Sequence, residues 1–264
     1  MAELLDPRTI RELAAAIDLK PTKQRGQNFV TDANTVRRIV NLAEVDADDV
    51  VWEVGPGLGS LTLGLLATGA AVTAVEIDAK LAGLLPQTVT RLQPDAAPRL
   101  HVVESDALLV TELPGGVPTK LVANLPYNVA VPVLLHMLQL SADWREGLVM
   151  VQLEVADRLV AKPGSKVYGV PSVKLAWYAQ AARVGTVPPK VFWPVPNVDS
   201  GLVKIVRREP PGDEDLRRRV FSLVDSAFNQ RRKMLRAALS GDFGGSAAAS
   251  DALTAAGVDP TARG

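Results

Sequence analysis

The stretch Glu53-Val54-Gly55-Pro56-Gly57-Leu58-Gly59-Ser60 decides how this chain folds. It follows the β-branched run 50–54 and opens into Leu61, Leu63 and Leu65, so it reads as strand, glycine turn and helix. Outward from it, short β-branched runs alternate with helical patterns, the mark of a parallel sheet covered by helices on both faces. Strands are expected at 50–54, 71–76, 100–104, 120–123 and 147–153, and helices at 60–67, 79–92 and 129–140. A late pair, 172–180 and 201–207, is expected to close the sheet with one antiparallel edge strand. Pro210-Pro211-Gly212 then punctuates the chain before a helical pattern from Glu214. An α/β domain over 1–209 and a small helical domain over 210–264 follow, with a loop at 241–245.

Glycines in such a turn let a ligand approach the backbone closely, which implies a nucleotide-type cofactor. The spacing is Gly-x-Gly-x-Gly, and Ser60 stands where the dinucleotide fingerprint wants a third glycine or alanine, so a hydride-transfer reading loses ground. Glu76 ends the second strand 21 residues after Gly55, where a carboxylate can take the ribose hydroxyls. Asp106 follows the third strand and can accept from an adenine amine, or else cap a helix.

The fourth strand runs into Asn124-Leu125-Pro126-Tyr127-Asn128. An adenine exocyclic amine is a poor nucleophile because its lone pair is delocalised, whereas a sulfonium methyl is already a strong electrophile. The Asn124 side-chain carbonyl and a backbone carbonyl fixed by Pro126 can accept the two amine hydrogens and align nitrogen, methyl carbon and sulfur. Tyr127 offers a flat face for an extruded base and suits a cationic donor. The chemistry calls for no metal and no strong general base. The structural alternative is a strand end turned by Pro126, with Asn128 capping the next helix and Tyr127 in the core.

The 264 residues are 47% hydrophobic and 22% charged and contain no cysteine, which removes disulfides and thiolate metal sites. Only His101 and His136 could serve a His-rich centre. No apolar signal-peptide stretch appears in 1–20, so a cytoplasmic location is expected. The uncharged run 121–142 reaches membrane-spanning length but is broken by Asn124, Pro126, Asn128 and Pro132, so strand, turn and helix are expected instead. Lysines plus arginines equal aspartates plus glutamates at 29 each, yet they are unevenly placed. Residues 39–113 carry a net charge of −8 and 204–236 a net of +5, while Lys20, Lys23, Arg25, Arg37 and Arg38 face Asp32 alone in 20–38. That division suits a polyanion docked at the edges of a small-molecule site, and equally suits ordinary solvated charge.

At these residues the chain resembles the KsgA/RsmA family of small-subunit ribosomal RNA adenine dimethyltransferases, from about Lys20 to Leu239. The shared segments are Gly26-Gln27-Asn28-Phe29-Val30, the Gly55 turn, Val75-Glu76-Ile77-Asp78, Asn124 to Asn128, Gln152 to Ala156, Tyr168-Gly169, Phe192 to Ser200 and Gln230 to Arg236. The resemblance implies a Rossmann-like S-adenosylmethionine methyltransferase sheet with a small helical C-terminal domain. It implies cofactor contacts at Asn28, Val30, Gly55, Gly57, Glu76, Asp106 and Asn124, and catalysis by Asn124, Pro126, Tyr127 and Phe192. Phe192 would sandwich the flipped adenine with Tyr127. A C-terminal helix bearing Arg231, Arg232, Lys233 and Arg236 would seat the RNA, and the partner would be the immature small ribosomal subunit, met by a monomer. Val30 replaces a usual leucine, Leu153 a frequent lysine, and Val170-Pro171 alters an RNA-side segment. Relatives of this type continue through a further short helix.

Three rivals remain: a large-subunit methyltransferase of the macrolide-resistance type, a non-catalytic assembly factor on the same fold, and a nicotinamide dehydrogenase. Residues 192–200 and 230–236 favour the small-subunit reading over the first. Glu76, Asp106, Asn124 and Tyr127 argue against lost catalysis, and the lack of a catalytic His or Tyr-Lys pair disfavours the dehydrogenase.

Overall fold

A computed structural model of the chain describes residues 3–20 and 27–264; Lys23, Arg25 and Gly26, named above, lie outside them. The chain divides into two compact units, one formed by the chain up to Val160 with Gln180–Arg207, the other by Ala161–Ala179 with Arg208–Gly264.

The first unit contains helices α1 (Pro7–Ala16), α2 (Ala33–Ala43), α3 (Ser60–Leu66), α4 (Ala79–Leu92), α5 (Ala130–Leu140) and α6 (Leu153–Leu159). Its strands are β1 (Phe29–Val30), β2 (Val50–Val54), β3 (Ala71–Glu76), β4 (Leu100–Glu104), β5 (Lys120–Asn124), β6 (Glu146–Gln152), β7 (Ala179–Val187), β8 (Phe192–Trp193) and β9 (Ser200–Arg207). Seven strands form one sheet in the order β4-β3-β2-β5-β6-β9-β7, and β1 pairs with β8 in a separate antiparallel ribbon. The five strands from β2 to β6 are parallel, each paired in register, as in Val54 opposite Val75 and Asn124 opposite Met150. Their central residues Val51, Val72, Ala74, Leu121, Val122 and Val149 have no exposed surface, which explains why the strands read as continuous apolar runs. β9 runs antiparallel to β6, but it is not the edge, because β7 lies outside it.

Helices α1 and α2 precede the alternating pattern and went unread in the sequence. Each starts on an aspartate cap, Asp6 accepting from the Thr9 N–H and Asp32 from the Thr35 N–H, both at 2.7 Å. α2 buries Val36, Ile39, Val40 and Ala43 on one face.

The second unit holds α7 (Val170–Tyr178), α8 (Glu214–Asn229), α9 (Leu235–Ala238), α10 (Ser240–Phe243) and α11 (Ser246–Ala255). Most of the strand expected at 172–180 is therefore helix. Pro171 sits in its first turn and the Ser172 hydroxyl accepts from the Gly169 N–H at 3.1 Å, both helix-start features. Helical spacing then turns Lys174, Trp177 and Tyr178 onto the Phe221 ring of α8, and Lys174 pairs with Asp225 at 2.7 Å. Those contacts group 161–179 with the C-terminal segment, whereas the sequence reading assigned it to the sheet domain. The loop expected at 241–245 is half helical turn: α10 runs through Phe243, and only Gly244 and Gly245 take positive φ. Among the described residues no helix is long and apolar enough to cross a membrane. The run 121–142 resolves into β5, a turn and α5.

Candidate active site

The sheet reverses its order between β2 and β5, and ligands of open α/β sheets sit in the crevice at such a point. The two strand tips are in close approach. A Cβ added to Gly55, at the end of β2, would lie 3.5 Å from the Pro126 ring and 3.8 Å from the Asn124 carbonyl oxygen after β5. Gly55, Gly57 and Gly59 all take positive φ, +69°, +58° and +93°, a region costly for other residues. Gly57 also carries the Phe29 ring against its backbone, where a Cβ would meet it at 2.7 Å.

Two cavities open beside this turn. The larger, about 750 Å³, is lined by Gly55, Glu76, Asp106, Pro126 and Asn128 among others. The smaller, about 80 Å³, shares Gly55, Glu76 and Pro126 and adds Asn28, Val30, Glu53 and Asn124. Glu76 Oε2 accepts from the Gly57 N–H at 3.1 Å and Oε1 from the Asp78 N–H at 3.0 Å. Burial raises its pKa against the lowering by these bonds. A carboxylate offers about four acceptor directions, so beside these bonds and the Ile77 N–H one remains for a hydroxyl. Asp106 Oδ1 accepts from the Leu108 N–H at 2.9 Å and caps no helix, since a turn follows it: one oxygen orders that turn, and the other can serve an amine. Close-approach glycines, a buried carboxylate and a second acid along one crevice fit a nucleoside cofactor.

The segment 28–30 closes on this site through two bonds, and the next residue ties it to the chain before β8. The Asn124 side-chain nitrogen donates to the Asn28 carbonyl at 3.1 Å, and the Ser60 hydroxyl donates to the Val30 carbonyl at 2.6 Å. Thr31 donates from its backbone to the Val191 carbonyl at 2.8 Å. Ser60, the departure from the dinucleotide fingerprint, thus has a structural use.

At the β5 tip the Pro126 carbonyl accepts from the Val129 N–H at 3.2 Å, and the Leu125 N–H donates to the Met150 carbonyl at 3.0 Å. Tyr127 is half-buried and its hydroxyl shares a 2.7 Å bond with the Ser200 hydroxyl. Burial raises the Tyr127 pKa, so the phenol stays protonated at neutral pH. Asn128 does not cap α5, whose N-cap is Val129 with no side-chain bond.

Phe192 departs from expectation. It is 2% exposed and belongs to the main core, opposite Val30 in the β1–β8 ribbon, so it offers no open face to a base. Successive strand residues point to opposite sides, and the neighbouring Trp193 is partly buried, stacked on Phe29 with ring centroids 6.1 Å apart.

In the second unit, Arg231, Arg232, Lys233 and Arg236 are all exposed. The first three lie on the turn between α8 and α9 rather than on a helix, and only Arg236 is helical. Arg217 and Arg218 of α8 both pair with Glu214, at 2.5 and 2.9 Å, so part of the positive charge counted from sequence is locally neutralised.

Three residues had no assigned role in the sequence reading. Phe29 packs on Gly57, Ser200 holds Tyr127, and Glu53 is a buried acid, 1% exposed, accepting from the Thr62 hydroxyl at 2.7 Å. Burial, reinforced by Glu76, pushes the Glu53 pKa up to about 8. An acid inside the otherwise apolar strand 50–54 was the available signal for Glu53; nothing local marks the pairing of Ser200 with Tyr127.

Residues 19–262 match the family model described as ribosomal RNA adenine dimethylase. A protein of Cutibacterium acnes named ribosomal RNA small subunit methyltransferase A is 68% identical, over 99% of this chain and 89% of its own length. Among solved structures, a dimethyladenosine transferase from Plasmodium falciparum has a TM-score of 0.66 at 23% identity, covering 80% of this chain and 74% of that one. The 23S rRNA methyltransferase ErmE has a TM-score of 0.64 at 28% identity, covering 89% and 92%. The fold is that of these methyltransferases, and the chain belongs to the ribosomal RNA adenine dimethylase family.

Proposed function

We propose that this chain dimethylates the exocyclic amines of two adjacent adenosines in a hairpin loop near the 3′ end of small-subunit (16S) ribosomal RNA, with S-adenosylmethionine as donor. The observation that carries this reading is the Asn124 amide pinned by the Asn28 carbonyl beside the glycine turn. It sets an acceptor oxygen next to a nucleoside-sized crevice.

S-adenosylmethionine, when bound, supplies a methyl group on a positively charged sulfur. Gly55 and Gly57 give it close backbone approach, Glu76 takes the ribose hydroxyls, and Asp106 takes the adenine amine, with Asn28 and Val30 covering the site. The Asn124 side-chain oxygen and the Leu125 carbonyl before Pro126 orient the target amine in line, and Tyr127 stacks on the base. Arg231, Arg232, Lys233 and Arg236 meet RNA phosphates. The enzyme acts in the cytoplasm as a monomer on the immature small subunit. The relative named for the small subunit is 68% identical and the 23S enzyme 28%, which favours small-subunit RNA over the macrolide-resistance reading.

The test is transfer of labelled methyl groups to unmodified small subunits and, in parallel, to unmodified large subunits, followed by mapping. Dimethyladenosine at two adjacent positions in one small-subunit hairpin is expected. Labelling confined to large-subunit RNA, or none at all, would overturn the proposal.

A further inference from the structure

We infer that Ser200 is a positioning residue for methyl transfer: its hydroxyl clamps that of Tyr127 and fixes the position of the ring against which the target base stacks. This rests on the role proposed above for Tyr127.

Ser200 is suited to be an anchor. It has no exposed surface and opens β9, paired with Gln152 at the end of β6. The preceding carbonyl, that of Asp199, accepts from the Leu153 N–H at 2.9 Å, so the backbone on its N-terminal side is also held. A hydroxyl with no access to water needs a protein partner, and among the described residues the Ser200 hydroxyl has one, the Tyr127 hydroxyl at 2.7 Å.

Tyr127 is the movable member. It lies on the turn leaving β5, and β6 stands between β5 and β9 in the sheet, so the bond reaches across the end of β6. A tyrosine ring held only by its Cβ can swing about two torsions. Fixing the hydroxyl at the far end holds the first of these torsions, and with it the place and direction of the ring; turning about the ring's own long axis, on which the hydroxyl lies, is not restrained by this bond. The bond also ties down the loop from Phe192 to Ser200 at its far end. Its near end is already fixed, because Phe192 and Trp193 pair with Val30 and Phe29 of the segment that closes on the cofactor crevice. The clamp therefore links the stacking face to the same frame that holds Asn28.

Stacking geometry matters most once substrate and cofactor are bound, so losing the clamp should lower the single-turnover rate more than cofactor affinity. The variants are Ser200→Ala, Ser200→Thr, Tyr127→Phe, Tyr127→Ala and the Ser200→Ala/Tyr127→Phe double. Each is assayed for single-turnover methylation of unmodified small subunits, S-adenosylmethionine affinity by calorimetry, and thermal midpoint.

Ser200→Ala and Tyr127→Phe are each expected to slow transfer about 10-fold, with the double variant no slower than the slower single and Ser200→Thr within about 3-fold of wild type. Cofactor affinity should stay within about 2-fold of wild type in the variants that keep the Tyr127 ring, as the bond lies outside the nucleoside crevice. Wild-type transfer by Ser200→Ala beside an impaired Tyr127→Ala would overturn the clamp while leaving the Tyr127 role standing. Multiplying losses in the double variant, or a loss of cofactor affinity matching the loss of rate, would also overturn it. Full activity in Tyr127→Ala would remove the stacking role and the clamp together. If Ser200→Ala does not fold, Tyr127→Phe probes the same bond from the half-buried side, and wild-type transfer there overturns the clamp.

Discussion

The side-chain nitrogen of Asn124 donates to the backbone carbonyl of Asn28 at 3.1 Å, across 96 residues of sequence. A carbonyl only accepts, so the bond dictates which end of the amide faces it and leaves the oxygen end for an incoming amine. The same bond holds the segment that covers the cofactor crevice, so one side chain joins the two halves of the site.

Asn124→Asp separates these two duties. The carboxylate keeps the shape and an acceptor oxygen but cannot donate to Asn28, so the cover loosens. S-adenosylmethionine affinity is expected to fall about 10-fold, a cost of roughly 1.4 kcal/mol, read by calorimetry. Unchanged affinity would show that the bond does not hold the cover.

Gly57→Ala should damage the turn from two directions. Its Cβ would meet the Phe29 ring at 2.7 Å, and its φ of +58° is unfavourable for alanine. A loss of about 1–3 kcal/mol in unfolding free energy and weakened cofactor binding are expected. Gly83→Ala is the control: it lies in α4 with nothing within 4 Å of the added Cβ, and should be neutral or slightly stabilising. Equal midpoints for the two variants in urea would contradict the steric reading.

Glu53 makes stability depend on pH. Its folded pKa is raised from 4.5 to about 8, so the folded state holds a proton that the unfolded chain gives up from pH 4.5 upward. The stabilisation from this group is complete below pH 4.5 and is lost as pH rises to about 8, on the order of a few kcal/mol at most. The acid faces the Thr62 hydroxyl and the Glu76 carboxylate. Glu53→Gln should keep the Thr62 contact and remove this slope, so the wild-type minus variant difference in unfolding free energy should decline between pH 5 and 8. A flat difference would mean that Glu53 titrates normally.

The turn 231–233 carries three consecutive exposed basic side chains in the second unit. Replacing Arg231 and Arg232 by alanine should weaken RNA binding and reduce the slope of log affinity against log salt by about one unit per lost phosphate contact. An unchanged slope would place the RNA elsewhere.

The parallel sheet was legible because its central strands, buried on both faces, write themselves as largely apolar runs, and at the crevice β2 runs into Gly55 and β3 ends in Glu76. The helix 79–92 was legible for a similar local reason, since Asp78 caps it with bonds to the Lys80 and Leu81 N–H groups. What escaped depended on distant partners. Residues 170–178 carry an apolar pattern that suits strand or helix, and Phe221, far along the chain, rewards the helix. Phe192 was recognisable as an aromatic in the right motif, but which of two consecutive rings turns inward depends on the pairing of β8 with β1. Glu76, Asp106 and Asn124 come to the crevice together because strand ends converge by topology. The bond between Tyr127 and Ser200 spans 73 residues and has no local signature.

Asn124→Ala under single-turnover conditions, with saturating S-adenosylmethionine and unmodified small subunits, bears most directly on the amine-orienting strand tip. A rate reduced by at least about 100-fold, with the far-ultraviolet spectrum of the folded protein retained, is expected from loss of the acceptor that aligns the amine. Methylation at near wild-type rate with cofactor saturated would contradict that role for Asn124.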